Sequence, residues 1–196
     1  MCGRLTSNGW KMKKTMPAKV PMTDHGFLTE ALLAEHSKAQ TMRIVGWIGA
    51  DADRLAALMD IFLGNEYRLT QRSAWVVRYV AEKHPELMAP YYPVLLEAID
   101  RQPVHDAVKR NALNVFEDVE IPAEYYDALA DHCFKYLANP HEPIAIRCAS
   151  MSILEKICRV IPELTDELRL ILEEHLEFGT AGFKSRAKKV LARIQK

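Results

Sequence analysis

A five-residue pattern that recurs at nearly constant spacing constrains the fold of this chain more than any other feature. Each copy has two apolar residues, two variable residues and a further apolar residue. The clear copies begin at Val76, Val115, Ile153 and Val190, separated by 39, 38 and 37 residues. A shortened copy begins at Ile44, 32 residues before Val76. A helical hairpin cannot bury its apolar face alone, so a fixed period of this length predicts hairpins stacked side by side.

Apolar residues recur at helical spacing from Phe27 to the end of the chain, and turn residues separate the segments. We predict ten helices that pair into about five hairpins, and no strand. The predicted helices span residues 27–36, 38–49, 53–63, 69–83, 89–101, 104–119, 123–138, 143–160, 163–177 and 181–194. Prolines lie at or near several of the first turns, where a missing backbone N–H breaks no helical hydrogen bond. The sequence therefore predicts an all-α solenoid.

One second helix begins with the most specific motif in the chain. From Asp106 to Leu113 the sequence reads Asp-Ala-Val-Lys-Arg-Asn-Ala-Leu. It resembles the second helix of HEAT repeats, which begins with an acidic residue, then Val-Arg, then Ala and Leu. The segment around Arg147 resembles it more loosely, with Glu142 in the acidic place. The resemblance covers about residues 27–196 and implies a right-handed α-α superhelix of about five HEAT-like hairpins.

Composition divides the chain into a tail and one repeat domain. Residues 1–25 show no helical period and contain Pro17 and Pro21, so we expect a flexible basic tail there and a repeat domain over 26–196. The chain is neutral overall, with 26 basic and 26 acidic residues. A secretory signal or a transmembrane span needs a long apolar run that the sequence lacks. These features predict a cytoplasmic protein without membrane contacts.

No residue pattern typical of a metal, cofactor or catalytic site occurs. The seven histidines are scattered, and none belongs to a His-Glu-x-x-His motif. A Gly-rich phosphate loop and a Gly-x-Ser-x-Gly elbow are both missing. The four cysteines form no Cys-x-x-Cys pair, which is typical of free thiols in a reducing compartment. We therefore predict no cofactor, no metal ion and no catalytic residue.

Three arginines, Arg72, Arg110 and Arg147, each lie two residues before an alanine. An anion-binding ladder and a set of structural ion pairs are the two interpretations. The HEAT resemblance implies pairing with an acidic residue of the same or the adjacent repeat, and Asp106 lies four residues before Arg110. We favour the structural interpretation because charged ladders in solenoids mostly fix repeat stacking.

The two variable positions of each motif copy form the candidate binding surface. In HEAT-like solenoids the second helices line the concave side, so the resemblance implies that these positions are its most exposed members. In the fourth clear copy they are Ala192 and Arg193, and in the first three, which give the predicted site residues, they are Arg78, Tyr79, Glu117, Asp118, Glu155 and Lys156. Replacing Tyr79, Glu117 and Lys156 with alanine should then leave stability nearly unchanged. Trp47 and Trp75 are further aromatic candidates for a partner surface.

The predicted function is a non-catalytic protein-protein interaction or scaffold module that presents a concave helical surface to another protein. The alternative is a nucleic-acid-binding or DNA-repair protein resembling the HEAT-like alkylpurine DNA glycosylases. The adjacent carboxylates Glu117 and Asp118 repel phosphates and count against a duplex-binding groove. A local nucleic-acid contact and the polar face of a capping repeat are the two interpretations of the C-terminal basic residues, Lys184, Lys188, Lys189 and Arg193.

Overall fold

The computed structural model describes residues 22–100 and 106–194, which form ten α-helices. The helices are α1 (Met22–Ala34), α2 (Lys38–Ile48), α3 (Ala52–Phe62), α4 (Tyr67–Lys83), α5 (Tyr92–Asp100), α6 (Asp106–Asp118), α7 (Tyr126–Ala138), α8 (Ile144–Cys158), α9 (Thr165–Leu176) and α10 (Ala181–Ile194). The ten predicted helices are confirmed, and the described residues contain no strand. Of the predicted tail, residues 1–21 lie outside the described ranges, and 22–25 belong to α1.

The helices pack in consecutive pairs, and the pairs stack in two layers. The odd-numbered helices α1 to α9 form the first-helix layer, and the even-numbered helices α2 to α10 form the second-helix layer. Each second helix packs on the next, from α2 on α4 through α8 on α10. In the other layer α1 packs on α3, α5 on α7 and α7 on α9. Stacked hairpins thus build an all-α solenoid, as predicted. Among the described helices, none is long and apolar enough to cross a membrane.

Short 3₁₀ turns delay the start of several first helices. Turns at Ala89–Tyr91, Ala123–Tyr125 and Pro162–Leu164 directly precede α5, α7 and α9, which begin two or three residues later than predicted. A proline lies in or just before each turn, where its missing N–H breaks no helical hydrogen bond. By contrast, α2 and α3 begin directly after Ser37 and Asp51, whose side chains accept hydrogen bonds from the first backbone N–H groups.

One continuous apolar core runs from Leu28 in α1 to Leu191 in α10. The apolar positions of the four clear motif copies lie in it, except the last, Ile194, which is half-buried and packs against it: Val76, Val77, Val80, Val115, Phe116, Val119, Ile153, Leu154, Ile157, Val190 and Leu191. The alanine upstream of the motif is buried as well, and Ala112 is 0% exposed. A small residue at this position lets neighbouring helices approach closely. The recurring pattern is therefore the packing signal of the stacked hairpins.

Candidate interaction surface

The solvent side of the second-helix layer is the candidate interaction surface, which we call the second-helix face. On each helix it is a stripe of accessible residues spaced three or four apart. It comprises Arg68, Gln71, Trp75, Arg78 and Glu82 on α4, Arg110, Asn114, Glu117 and Asp118 on α6, Cys148, Ser152 and Lys156 on α8, and Arg186, Lys189 and Arg193 on α10. On this face Arg186 Nη1 of α10 reaches across α8 to Glu117 Oε1 of α6, at 2.8 Å.

The six predicted site residues lie on α4, α6 and α8 but are not equally exposed. The side chain of Arg78 is 48% exposed, whereas Glu155 is only 4% exposed. The other four are half-buried: Tyr79, Glu117, Asp118 and Lys156. The prediction that these positions are the most exposed is therefore wrong, most clearly for Glu155. Neighbouring helical residues point about 100° apart, so the two variable positions of a motif cannot both lie at the centre of the exposed side of a helix.

An ion pair on the second-helix face links α4 to α6. Arg78 Nε lies 2.5 Å from Asp118 Oδ2, and Arg78 Nη2 donates a hydrogen bond to Asp118 Oδ1 at 3.0 Å. This two-point contact matches a planar guanidinium to a carboxylate. Burial raises the pKa of the Asp118 carboxyl, while the charge and hydrogen bond of Arg78 oppose that rise. Arg78 therefore offsets part of the cost of holding a charged carboxylate at a half-buried position.

Lys156 of α8 caps the C-terminal end of α6. Its ammonium donates hydrogen bonds to the backbone carbonyl oxygens of Val119 at 2.9 Å, Phe116 at 3.4 Å and Glu117. The last carbonyls of a helix lack intrahelical donors and carry the negative end of the helix dipole, so a cation stabilises them. Burial lowers the pKa of Lys156, and the nearby carboxylates of Asp118 and Glu117 oppose this change.

Two further carboxylates connect to α10. Glu155 Oε2 lies 3.2 Å from Arg193 Nη1, and Glu155 also accepts a hydrogen bond from Arg159 of its own helix. Glu117 pairs with Arg186 as described above. These contacts together form the charge ladder, which comprises Arg78, Glu117, Asp118, Glu155, Lys156, Arg186 and Arg193. The ladder joins α4, α6, α8 and α10, so five of the six predicted site residues help to hold the repeats together.

Two of the three arginines upstream of the motif, Arg72 and Arg147, bond to helix ends rather than to carboxylates. Arg72 Nη1 donates to the carbonyl oxygens of Leu32 and Leu33 in the last turn of α1, at 2.8 and 3.0 Å. Arg147 is buried and donates to the carbonyl oxygen of Leu137 in α7, at 3.1 Å from Nε and 2.9 Å from Nη2. Their structural role is confirmed, but the acidic partners expected for them are wrong.

The HEAT-like motif at the start of α6 makes a different ion pair from the one expected. Within the described residues, Asp106 and Arg110 form no ion pair. Instead Lys109 Nζ lies 2.6 Å from Glu142 Oε1, and each side chain is 10% exposed. Glu142 lies in the turn before α8, so the acidic position of one repeat pairs with a lysine of the preceding repeat.

Trp75 is the aromatic anchor candidate with the most accessible ring. It is 46% exposed, and its ring centre lies 5.3 Å from that of His36. Tyr79, one turn further along α4, is half-buried and packs against the core. Trp47 is also half-buried, with the Arg54 guanidinium 4.4 Å from its ring centre. Trp75 is thus the aromatic candidate best placed to contact a partner.

Arg186 is the ladder residue that the motif does not show. It lies four residues before Val190, outside the five-residue pattern. Its side chain crosses α8 over the small residue Ser152 and donates a hydrogen bond to the Ser152 hydroxyl. Arg186 and Arg193 are seven residues apart, about two helical turns. This spacing places Arg186 and Arg193 on one side of α10, so it is the sequence signal by which Arg186 can be found.

The groups capable of metal or thiol chemistry are few. Over residues 22–100 and 106–194, no group of three or more His, Cys, Asp or Glu side chains is arranged to hold a metal ion. The described cysteines Cys133, Cys148 and Cys158 are free thiols. Burial raises the pKa of Cys133 to about 12 and also raises the pKa values of Cys148 and Cys158. These thiols therefore stay protonated near neutral pH, where a thiol is a poor nucleophile.

The family of the chain follows from comparison with known proteins. A family model described as a HEAT repeat domain matches residues 28–194, which reach from α1 into α10. No curated protein and no solved structure matches the chain. The family match confirms the resemblance of the α6 motif and agrees with the stacking of consecutive helix pairs. The chain belongs to the HEAT repeat family.

Proposed function

We propose that the protein is a non-catalytic protein-protein interaction or scaffold module whose partner protein binds the second-helix face. HEAT repeat domains typically act as protein-interaction scaffolds, and stacked repeats offer extended surfaces for that purpose. Trp75 carries the proposal: its exposed ring lies on the α4 stripe between the exposed side chains of Gln71 and Arg78. Tryptophan and arginine are enriched among the side chains that dominate binding energy in protein interfaces.

The predicted site residues take two different roles in this proposal. Arg78 and Tyr79 contact the partner together with Trp75, since all three lie on the accessible part of α4. The remaining residues hold the shape of the face through the charge ladder: Glu117, Asp118, Glu155 and Lys156. A surface already fixed by such contacts loses little conformational entropy when a partner binds.

The ion pairs of the charge ladder bear on the nucleic-acid alternative in two opposite ways. The ladder pairs Glu117 with Arg186 and Asp118 with Arg78, so these carboxylates repel phosphates less than the sequence alone indicates. The same pairs occupy basic residues that a phosphate backbone needs. In α8, moreover, Arg147 and Lys156 both donate to backbone carbonyls. A protein partner therefore remains the better-supported proposal.

Photo-crosslinking from the second-helix face tests this proposal. A photoreactive phenylalanine derivative replaces Trp75 in the full chain, and the matched control carries it at Leu170, which is 63% exposed on α9. After illumination in extract from the native cells, we expect a specific protein to crosslink from position 75 and not from position 170. Crosslinking only from position 170 would place the working surface on the first-helix layer and overturn the proposal.

A pair of matched substitutions then measures the contribution of Trp75. With the crosslinked protein purified, Trp75→Gln should weaken binding at least about tenfold, as expected for an interface anchor. Leu170→Gln should leave binding unchanged, and both variants should keep the thermal midpoint of the parent because both sites are exposed. Unchanged affinity in the Trp75→Gln variant contradicts the proposal. Crosslinking of nucleic acid instead of protein favours the alternative function.

A further inference from the structure

Charge is segregated between the two helix layers, although the whole chain is neutral. The five first helices contain 12 acidic and 3 basic residues, a net charge of −9. The five second helices contain 15 basic and 5 acidic residues, a net charge of +10. The second-helix face therefore lies on the positive side of the molecule, and its field favours an anionic partner.

Much of this positive charge is available to a partner. Of the five acidic residues in the second helices, Glu117, Asp118 and Glu155 are ion-paired within the charge ladder. Seven basic side chains have no ion-pair or side-chain hydrogen-bond partner among the described residues: Lys38, Arg68, Lys83, Arg110, Lys184, Lys188 and Lys189. We call them the available cations. An anionic partner gains their attraction without breaking an existing pair.

The available cations form two groups at opposite ends of the second-helix layer. Three lie on α2 and α4, three lie on α10, and between them α6 contributes only the half-buried Arg110. The middle of the face instead presents the neutral side chains of Asn114, Cys148 and Ser152. A nucleic acid carries charge along its whole backbone, so its middle would gain little there. A polypeptide is able to place acidic clusters at both ends and neutral residues between them.

We infer that the second-helix face binds an acidic polypeptide segment with two acidic clusters, one at Arg68 on α4 and one at Lys189, which is the available cation of α10 on the same side as Arg186 and Arg193. The neutral stretch between the clusters contributes, next to the cluster at α4, an apolar side chain that packs on the exposed ring of Trp75. This inference rests on the proposed function and names the chemistry of its partner. Packed helices lie about 8–10 Å apart, so three steps from α4 to α10 span about 24–30 Å. An extended chain covers that distance with about eight residues at ~3.3 Å each.

A synthetic peptide tests the inference on the full chain. The probe is a fluorescein-labelled peptide of about 16 residues, with glutamates at both ends and a central neutral stretch of about eight residues that includes Phe and Leu. Its control replaces every glutamate with glutamine. Fluorescence anisotropy should show that the acidic peptide binds at least about tenfold more tightly than the control. This preference should weaken as salt screens the charges.

Two charge-reversal variants locate the binding surface. Arg68→Glu with Lys189→Glu changes one exposed cation of the second-helix face at each end, and glutamate is tolerated in the first turn of α4 because it faces the positive end of the helix dipole. Lys135→Glu with Arg169→Glu makes the same change in net charge on the first-helix layer. The first pair should weaken peptide binding at least about tenfold, and the second by less than about twofold. Equal effects of the two pairs would show a response to net charge alone and overturn the inference.

A nucleic-acid probe and the crosslinked partner separate the remaining outcomes. If a short DNA duplex binds more tightly than the acidic peptide and loses affinity in the Arg68→Glu, Lys189→Glu variant, the anionic partner is a nucleic acid and the inference is wrong. If a protein crosslinks from position 75 but binds this variant as tightly as the parent, the inference fails while the proposed function stands. If this variant loses affinity for both the crosslinked protein and the acidic peptide, the result supports the inference and the proposed function.

Discussion

Replacing Lys156 with methionine should destabilise the protein, because it removes the cation that caps α6. All three ammonium hydrogens have carbonyl acceptors at the end of α6. Hydrogen bonds to a charged group contribute about 1.5–3 kcal/mol, and a partly buried cation at a helix C-terminus contributes up to about 2 kcal/mol. The burial that lowers the pKa of Lys156 opposes these gains. We therefore expect a net loss of about 1–3 kcal/mol in the free energy of unfolding.

Thermal and urea unfolding followed by circular dichroism measures this loss. For a domain of this size, about 1 kcal/mol shifts the midpoint by about 2–4 °C. The matched control is Lys188→Met, because Lys188 is exposed and is one of the available cations. Its effect should stay within about ±0.5 kcal/mol. If the two variants unfold at the same midpoint, Lys156 does not cap α6. In that case the joint alanine replacement of Tyr79, Glu117 and Lys156 should leave stability nearly unchanged, as the sequence alone predicted.

Three other substitutions probe packing, electrostatics and helix propensity. Ala112→Leu should lower the free energy of unfolding by about 1–3 kcal/mol through overpacking at a fully buried helix contact; an unchanged thermal midpoint contradicts the packing. Arg78→Met removes a charge that lowers the pKa of Asp118, so carbon NMR should show that pKa rise further. Because the folded state then holds the Asp118 proton more tightly than the unfolded state, stability should fall as pH rises from 3.8 through the raised pKa. Gly46→Ala should stabilise by about 0.5–1 kcal/mol, since an added Cβ meets no atom within 4 Å; destabilisation in a urea melt contradicts this.

The fold was predictable because the helical spacing of the motif indicates which residues are buried. The burial of Val76, Val115 and Ile153 follows from their helical spacing, and ten helices follow from the turns between them. The exposed positions were harder to predict because the packing alanine does not keep a constant distance from the motif. From Ala74 to Val76 the separation is two residues, but it is four from Ala149 to Ile153. Each residue turns a helix by about 100°, so the alanine lies at a different angle to the motif in α4 and in α8 and does not indicate which variable position faces solvent.

The partners of the charged residues could not be read from the sequence for a related reason. Every helix ends in carbonyl oxygens that lack intrahelical donors, and no residue type marks them. Arg72, Arg147 and Lys156 all donate hydrogen bonds to such carbonyls. In the sequence, by contrast, acidic residues are the partners that can be recognised for a basic residue. Which acceptor lies within reach depends on how neighbouring repeats stack, and that geometry is set by the whole core.

The charge segregation between the layers was hidden by the repeat itself. First and second helices alternate along the chain, so any stretch of sequence longer than one hairpin averages acidic and basic helices to near neutrality. Assigning each helix to a layer separates the charges, at −9 and +10. Packed helices lie about 10 Å apart, while the Debye length at physiological ionic strength is about 8 Å. At that ionic strength a partner in contact with the second-helix face is attracted mainly by that layer, although the protein as a whole carries no net charge.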